Sequence, residues 1–250
     1  MPGQQIPRVV LSPVDMAFMR RRNPWVSVWW SVCLPGFGHF AMGQHLKGFI
    51  FMSWEIVVNH LGHVNMAIYH TVLGDINKAK AIIDYRWAIL YPLFYVFAML
   101  DSYRLCLDIN RLADLESVQR RRRFDRAAVS MIGISLLCRR NPLMAALWSA
   151  VAPGLGHLYC DRRLKAFILT AWYLAVTLNA NIVLNVFHLL QGDYETARQL
   201  IDYQWLLFWP SIYVFGIVDA YQDTVEQNTL YQMAFQYRLR KYIKNSNIQA

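Results

Sequence analysis

The chain has 250 residues, of which 56% are hydrophobic and 16% are charged, below the roughly 25% charged residues of soluble proteins. Its nine Trp, fourteen Tyr and thirteen Phe fit the aromatic enrichment of membrane interfaces. The net charge of +9 comes largely from arginines beside apolar stretches, where they set membrane orientation, so we expect no nucleic-acid binding. The four cysteines form no CxxC pair, which argues against a zinc or thioredoxin-type site. This composition predicts a small multi-pass membrane protein.

Two halves of the chain are copies of each other at a constant offset of 118 residues, as from Asn23 to Asn141. The aligned pairs include Trp30 and Trp148, Lys47 and Lys165, Trp54 and Trp172, His70 and His188, Asp84 and Asp202, Trp87 and Trp205, and Asp101 and Asp219. A gapless repeat of this kind indicates a tandem duplication. The predicted boundaries are a cytoplasmic lead at 1–19, repeat 1 at 20–123, a linker at 124–137, repeat 2 at 138–241 and a tail at 242–250.

The lead has two prolines among its first seven residues and predicts a disordered or surface-lying segment. Next, 24–34 is apolar but too short to span, because a helical span needs roughly 20 residues. The breaker Pro35-Gly36-Phe37-Gly38 follows it. The stretch 24–45 therefore either crosses the membrane or returns as a re-entrant or interfacial hairpin.

The rest of copy one alternates apolar and polar stretches. Residues 48–72 and 86–106 are long enough to span, and Pro92 predicts a kink in the second of them. The polar loop 74–85 between them predicts a short amphipathic helix capped by Asp75. Copy two follows the same plan, with a hairpin at 142–163, a span at 166–190, a loop at 192–203 and a span at 204–223.

Positive-inside counting decides the number of crossings. The basic clusters are Arg20 to Arg22, Arg120 to Arg123, Arg126, Arg139, Arg140, Arg238, Arg240, Lys241 and Lys244. They share the cytoplasmic side only if each copy crosses an even number of times. The predicted fold is an all-α integral membrane protein with four full spans, in which each copy is a non-crossing hairpin plus two transmembrane helices. Both termini are cytoplasmic, and an axis along the membrane normal relates the repeats.

One motif supports a family resemblance. Copy one carries it as Asn23-Pro24, Pro35-Gly36-Phe37-Gly38-His39, Gly43 and Lys47-Gly48, and copy two as Asn141-Pro142, Pro153-Gly154-Leu155-Gly156-His157-Leu158-Tyr159 and Lys165. This resembles small bacterial membrane proteins with an Asn-Pro and Pro-Gly-x-Gly-His motif, loosely akin to TM2-domain proteins. The resemblance implies an architecture and a bacterial inner membrane, and no particular activity. The chain departs from the motif at Ala41 in place of Tyr, and at Asp161 and Ala166 in place of Gly.

The hairpin residues Pro35, Gly36, Gly38, Pro153, Gly154 and Gly156 are interpreted as structural. Non-helical backbone at membrane depth must be buried in protein, and glycine lets another helix pack closely. His39 and His157 follow the two turns. They either form a pseudo-symmetric pair that lines a shared cavity, or each caps free carbonyls of its own hairpin, which we favour.

The first predicted span of copy one carries a polar stripe. Glu55, Asn59 and His63 lie at i, i+4 and i+8, and His70 follows one heptad later. Copy two has Tyr173, Thr177, Asn181 and His188 at the aligned positions. Ionisable groups inside a span suggest a functional site. Glu55 with His60, His63 and His70 would suit a divalent metal. We favour a stripe that hydrogen-bonds between helices, and expect no metal or cofactor.

Two repeat-matched pairs of opposite charge follow from the alignment. Lys47 with Asp101, and Lys165 with Asp219, predict ion pairs that hold each hairpin to the second span of its copy, with snorkelling lysines as the alternative. The aligned segments starting at Asp84 and Asp202 are interpreted as interfacial anchors, because each contains Tyr and Trp.

The sequence contains no GxSxG, P-loop, HExxH or GxGxxG motif, so we expect no enzyme. The first functional hypothesis is a structural or accessory subunit of a bacterial membrane complex, with another membrane protein or a second copy as partner in the lipid bilayer. One alternative is a small transporter or channel component with a site between the repeats. A second alternative is a membrane metal protein or enzyme that uses Glu55 and the nearby histidines.

Overall fold

The computed structural model describes residues 9–11, 16–18, 20–118, 127–130 and 133–249. Helices dominate this part of the chain, which confirms the all-α class. The helices are α1 (Pro24–Cys33), α2 (Phe37–Ala41), α3 (His45–Gly62), α4 (Val64–Val72), α5 (Ile76–Ile82), α6 (Tyr85–Ala88), α7 (Leu90–Ser117), α8 (Pro142–Val151), α9 (Leu155–Tyr159), α10 (Arg163–Asn179), α11 (Ile182–Leu190), α12 (Tyr194–Leu200), α13 (Tyr203–Leu206) and α14 (Trp209–Gln249).

Two short antiparallel hairpins precede the two copies. In the first, β1 (Val9–Leu11) pairs with β2 (Met16–Phe18), and in the second, β3 (Ala127–Ser130) pairs with β4 (Gly133–Leu136). Of the two forms expected for the lead, disordered or surface-lying, the disordered one is therefore wrong for the strand residues. The arginine run 120–123 and most of the lead lie outside the described residues.

The described chain divides into two compact units, and each takes segments from both repeats. One unit consists of 22–107 with 167–216, and the other draws on residues up to 21, 108–166 and residues from 217 onward. In the first unit, Phe37 stacks on Phe215 at 4.0 Å between ring centroids, and Trp30 meets the same ring edge-on at 5.0 Å. Because Phe215 lies 178 positions after Phe37, the two copies share a core in this unit.

Each copy opens with a helical hairpin of the same construction. Asn23 and Asn141 begin α1 and α8 as caps: each side-chain oxygen accepts a backbone N–H two residues on, at 3.0 Å. A proline occupies the first turn of both helices, where its missing N–H costs nothing. The turns pass through Gly36 and Gly154 at φ of 102° and 103°, a region that L side chains rarely adopt.

Gly38 and Gly156 allow the short second helix of each hairpin to touch the first. A Cβ at Gly38 would overlap the carbonyl oxygen of Ser27, and a Cβ at Gly156 would overlap that of Ala145. Both obstacles are backbone atoms of a packed helix, which cannot turn aside as a side chain can. The interpretation of these glycines as sites of close helix packing agrees with this geometry.

We expect Gly38→Ala and Gly156→Ala each to lower the free energy of unfolding by about 1–3 kcal/mol, the usual cost of overpacking. The measurement is the thermal unfolding midpoint of the purified protein. Gly74→Asn is the control, because nothing lies within 4 Å of a Cβ at Gly74 and Asn tolerates its φ of +80°. Equal losses in all three variants would contradict the packing role.

The stretches 48–72 and 166–190 are each broken into two helices. The breaks fall at His63 and Asn181, which align at the repeat offset and both have left-handed backbone, with φ of 50° and 56°. His and Asn are among the residues that tolerate this conformation. Glu55 and Asn59 share a face of α3 as predicted, but His63 does not continue that face, because α3 ends before it.

The aligned Asp-Tyr segments close these breaks. The backbone N–H of Asp84 donates to Gly62 O at 3.1 Å, and that of Asp202 donates to Ala180 O at 3.4 Å. The Asp84 side chain also caps α6, and hydrogen bonds from Arg86 hold the pKa of this carboxyl below its usual range. Each segment thus satisfies a carbonyl freed by the break, a role that the anchor interpretation did not include.

Among the described residues, no single helix is long and apolar enough to cross a membrane. Two helix pairs meet that length and composition together, each bent at the break between its members: 76–82 with 85–117, bent by 89°, and 163–179 with 182–190, bent by 55°.

Candidate functional site

Glu55, on α3, is a buried member of the predicted polar stripe, with only 1% of its surface exposed. Its Oε1 accepts hydrogen bonds from the Tyr91 hydroxyl at 2.8 Å and from Asn59 Nδ2 at 3.2 Å. Its Oε2 is buried and has no hydrogen-bond partner in the described part of the chain. A carboxylate oxygen left in this state is costly, because a buried acceptor loses water without a replacement.

Asn59 links Glu55 to the break between α3 and α4. Its Nδ2 donates to Asn65 Oδ1 at 3.0 Å, and its Oδ1 accepts from the Asn65 backbone N–H at 3.1 Å. The Tyr91 hydroxyl lies 3.2 Å from both Asn59 Nδ2 and the Tyr95 hydroxyl. The break is thus held by side chains that also position the carboxylate.

Gln204, on α13 of the second copy, completes this network. Its Nε2 donates to Asn59 O at 3.0 Å and to Asn59 Oδ1 at 2.8 Å, while its Oε1 accepts from the Met66 N–H at 3.0 Å. Its backbone carbonyl accepts from Asn65 Nδ2 at 2.8 Å. Gln204, Asn59 and Asn65 are all buried, and Gln204 is 3% exposed.

A cavity of about 230 Å³ lies beside the network. Its described lining residues are Cys33, Leu34, Glu55, Asn65, Ile68, Tyr91, Tyr95, Leu207, Phe208 and Ser211. They combine a few polar groups with an apolar wall, the usual composition of a small-molecule site. Seven come from the first copy and three from the second, and all belong to the same compact unit.

The other residues of the predicted stripe lie elsewhere. His63 is exposed and lies 6.3 Å from the His60 ring, and His70 is buried on α4. His188 Nδ1 lies 3.3 Å from Asp193 Oδ2 at the end of α11. Among the described residues, Glu55 and these histidines do not form a group that could hold a metal ion.

The hairpin histidines each contact an aspartate. In copy one, His39 Nε2 lies 2.7 Å from Asp101 Oδ2, and Lys47 Nζ donates to Asp101 Oδ1 at 2.9 Å. His39 Nδ1 is buried without a partner in the described structure. The favoured interpretation, in which His39 caps carbonyls of its own hairpin, is therefore wrong. Lys47 and Asp101 are in contact, and the lysine side chain is 47% exposed.

Copy two repeats this arrangement and buries it. His157 Nε2 lies 2.9 Å from Asp219 Oδ2, so His157 does not cap its hairpin through that nitrogen, and its Nδ1 also lacks a described partner. Lys165 Nζ lies 2.6 Å from Asp219 Oδ2 and 2.8 Å from Asp223 Oδ2. Arg162 Nε lies 3.5 Å from Asp223.

The second copy thus adds one acid and one base to the group. Asp223 aligns with Leu105, and Arg162 aligns with Gln44. His157, Asp219 and Asp223 are close enough to ligate a metal ion together, the one such group among the described residues. The Lys165 ammonium, however, already contacts both carboxylates and supplies the positive charge that a cation would bring.

No protein-family model, curated protein or solved structure matches the chain. The resemblance to membrane proteins with the Pro-Gly-x-Gly-His motif therefore stays a prediction from the sequence.

Sequence reasoning missed five residues that complete these sites. Tyr91, Asn65 and Gln204 belong to the Glu55 network, and Asp223 and Arg162 to the charge cluster. The alignment contained a signal for two of them: Gln204 replaces a charged Arg86, and Asp223 replaces an apolar Leu105. Aligned positions at which the two copies differ in polarity therefore indicate candidate site residues, as identical positions do.

Proposed function

We propose that the chain is a small helical membrane protein whose two copies enclose a binding site for a small solute, as in a transporter or channel component. The cavity beside Glu55 carries this proposal. It joins residues of both copies around a buried carboxylate with an unsatisfied oxygen, and the breaks in the surrounding helices resemble those of transporter sites.

The surface of α3 supports the membrane part of the proposal. Its exposed face carries Leu46, Ile50, Trp54, Val57 and Leu61, each at least 42% exposed. The opposite face buries Glu55 and Asn59. A helix that turns its apolar side outward and its polar side inward fits a lipid surrounding, since monomers in water rarely expose contiguous apolar patches of this size. The proposed location is the bacterial inner membrane.

A second candidate is the accessory subunit of a membrane complex. One observation favours it: Tyr231, Phe235, Leu239 and Tyr242 on α14 are all exposed, at spacings of four, four and three residues. This spacing places them on one face of the helix. Such a stripe suits docking to a partner or lying on lipid.

Native mass spectrometry of protein extracted gently from its own membranes separates these candidates. The first predicts a bound small mass that is lost in Ser211→Phe, because the new ring occupies the cavity. Leu93→Phe is the matched control: Leu93 aligns with Ser211 and is 69% exposed. A protein bound at fixed stoichiometry, with no small mass, would instead favour the accessory subunit.

A further inference from the structure

We propose that the Glu55 cavity takes a small organic cation, specifically a primary ammonium compound with a compact apolar body. This inference rests on the proposed function, because it names the ligand class of the same site.

The charge of the lining sets the charge of the ligand. Glu55 is the one carboxyl among the described lining residues, and none of them is Lys, Arg or His. A monovalent cation would neutralise it, whereas a divalent ion would leave a buried positive charge without a partner. An anionic ligand would meet a carboxylate with no basic side chain to offset it.

The polar groups suit an ammonium head. Glu55 Oε1 is already occupied by Tyr91 and Asn59, whereas Oε2 has no described partner. An ammonium has three N–H donors and no acceptor, so it needs several oxygens. The cavity lining offers the carboxylate together with the hydroxyls of Tyr95 and Ser211. The aromatic rings of the lining also attract cations.

The apolar wall argues for an organic body. Leu34, Ile68, Leu207 and Phe208 line the cavity, and a bare sodium ion would leave them facing water. The volume of about 230 Å³ exceeds the roughly 150 Å³ of a cavity that holds benzene. A ligand of about the size of benzylamine therefore fits the cavity.

Titration of the purified protein with benzylamine and with neutral benzyl alcohol, followed by calorimetry, tests the ligand class. We expect benzylamine to bind at least tenfold more tightly than benzyl alcohol. Glu55→Gln should remove that preference and leave the binding of benzyl alcohol unchanged. Glu195→Gln is the control for the loss of a carboxylate, because Glu195 is exposed on α12. This variant should bind both compounds as tightly as the wild type does.

Two binding results would overturn the inference: equal binding of the two compounds, or an amine preference that persists in Glu55→Gln. A third is competition by sodium: sodium chloride would displace benzylamine, whereas choline chloride at the same ionic strength would not. If benzyl alcohol binds as tightly as benzylamine and Ser211→Phe abolishes both, the ligand class fails while the solute site stands. If neither compound binds to the wild type, both the ligand class and its site fail. Unchanged thermal unfolding of Glu55→Gln would show that the variant is folded.

Discussion

Lys165→Met is expected to lower the free energy of unfolding by about 3–5 kcal/mol, the usual loss when one partner of a buried ion pair is removed. Lys165 is 1% exposed, and its ammonium contacts both Asp219 and Asp223. Methionine fills a similar volume without the charge. The variant therefore leaves two buried carboxylates close together with Arg162 as the nearest described cation. The measurement is the unfolding midpoint of the purified protein, together with its yield on expression.

Lys47→Met is the matched control, because Lys47 occupies the same position in copy one. Its side chain is 47% exposed and contacts a single aspartate, so the expected loss is about 0–1 kcal/mol. Adding Asp223→Asn to Lys165→Met should recover part of the stability, since one carboxylate then no longer needs a counter-charge. Equal losses in the two lysine variants would show that burial does not determine how much Lys165 contributes to the free energy of unfolding.

Gln204→Leu is expected to cost about 1–3 kcal/mol, because it removes the acceptor of the Met66 N–H and two hydrogen bonds that Asn59 accepts. Asn59 Oδ1 still accepts from the Asn65 N–H and Asn59 O from the His63 N–H, so the main cost falls on the Met66 N–H. We expect the loss to appear first at the break between α3 and α4. Hydrogen exchange of the Met66 amide measures it directly, and the unfolding midpoint measures the total.

Arg86→Leu is the control, since Arg86 aligns with Gln204. Its side chain is 87% exposed and its guanidinium contacts Asp84, so we expect no resolvable change in the unfolding midpoint. If the two leucine variants lose the same stability, Gln204 does not hold the break. If Gln204→Leu lowers the unfolding midpoint without faster hydrogen exchange at Met66, the loss of stability arises outside the break between α3 and α4.

The local features of the fold could be read from the sequence. Asp75 caps α5 as predicted, and Gly36 lies at the predicted break after the first helix, since each acts through neighbouring residues. The pairing of Lys47 with Asp101 could be proposed because the duplication supplied a second instance of the same two charges. Contacts whose residues recur in both copies at the repeat offset could therefore be predicted from the sequence.

The helix breaks and the contacts between the two copies could not be predicted from the sequence in this way. The apolar run continues through His63, and only the comparison with Asn181 hints at a left-handed residue there. Gln204 lies 145 positions after Asn59, and its aligned residue is a surface arginine. Nothing local marks such a contact, because its stabilisation arises only when the two copies pack together.

The added charges of the second cluster constrain how the two copies could have diverged. Leu105 and Gln44 in one copy correspond to Asp223 and Arg162 in the other, and the last two lie within 3.5 Å. Exchanging the acid alone would bury an uncompensated charge, whereas exchanging both keeps the cluster balanced. The two positions therefore behave as one epistatic unit: either substitution is tolerated mainly in the presence of the other. Any swap of segments between the copies, natural or engineered, succeeds only if it transfers both.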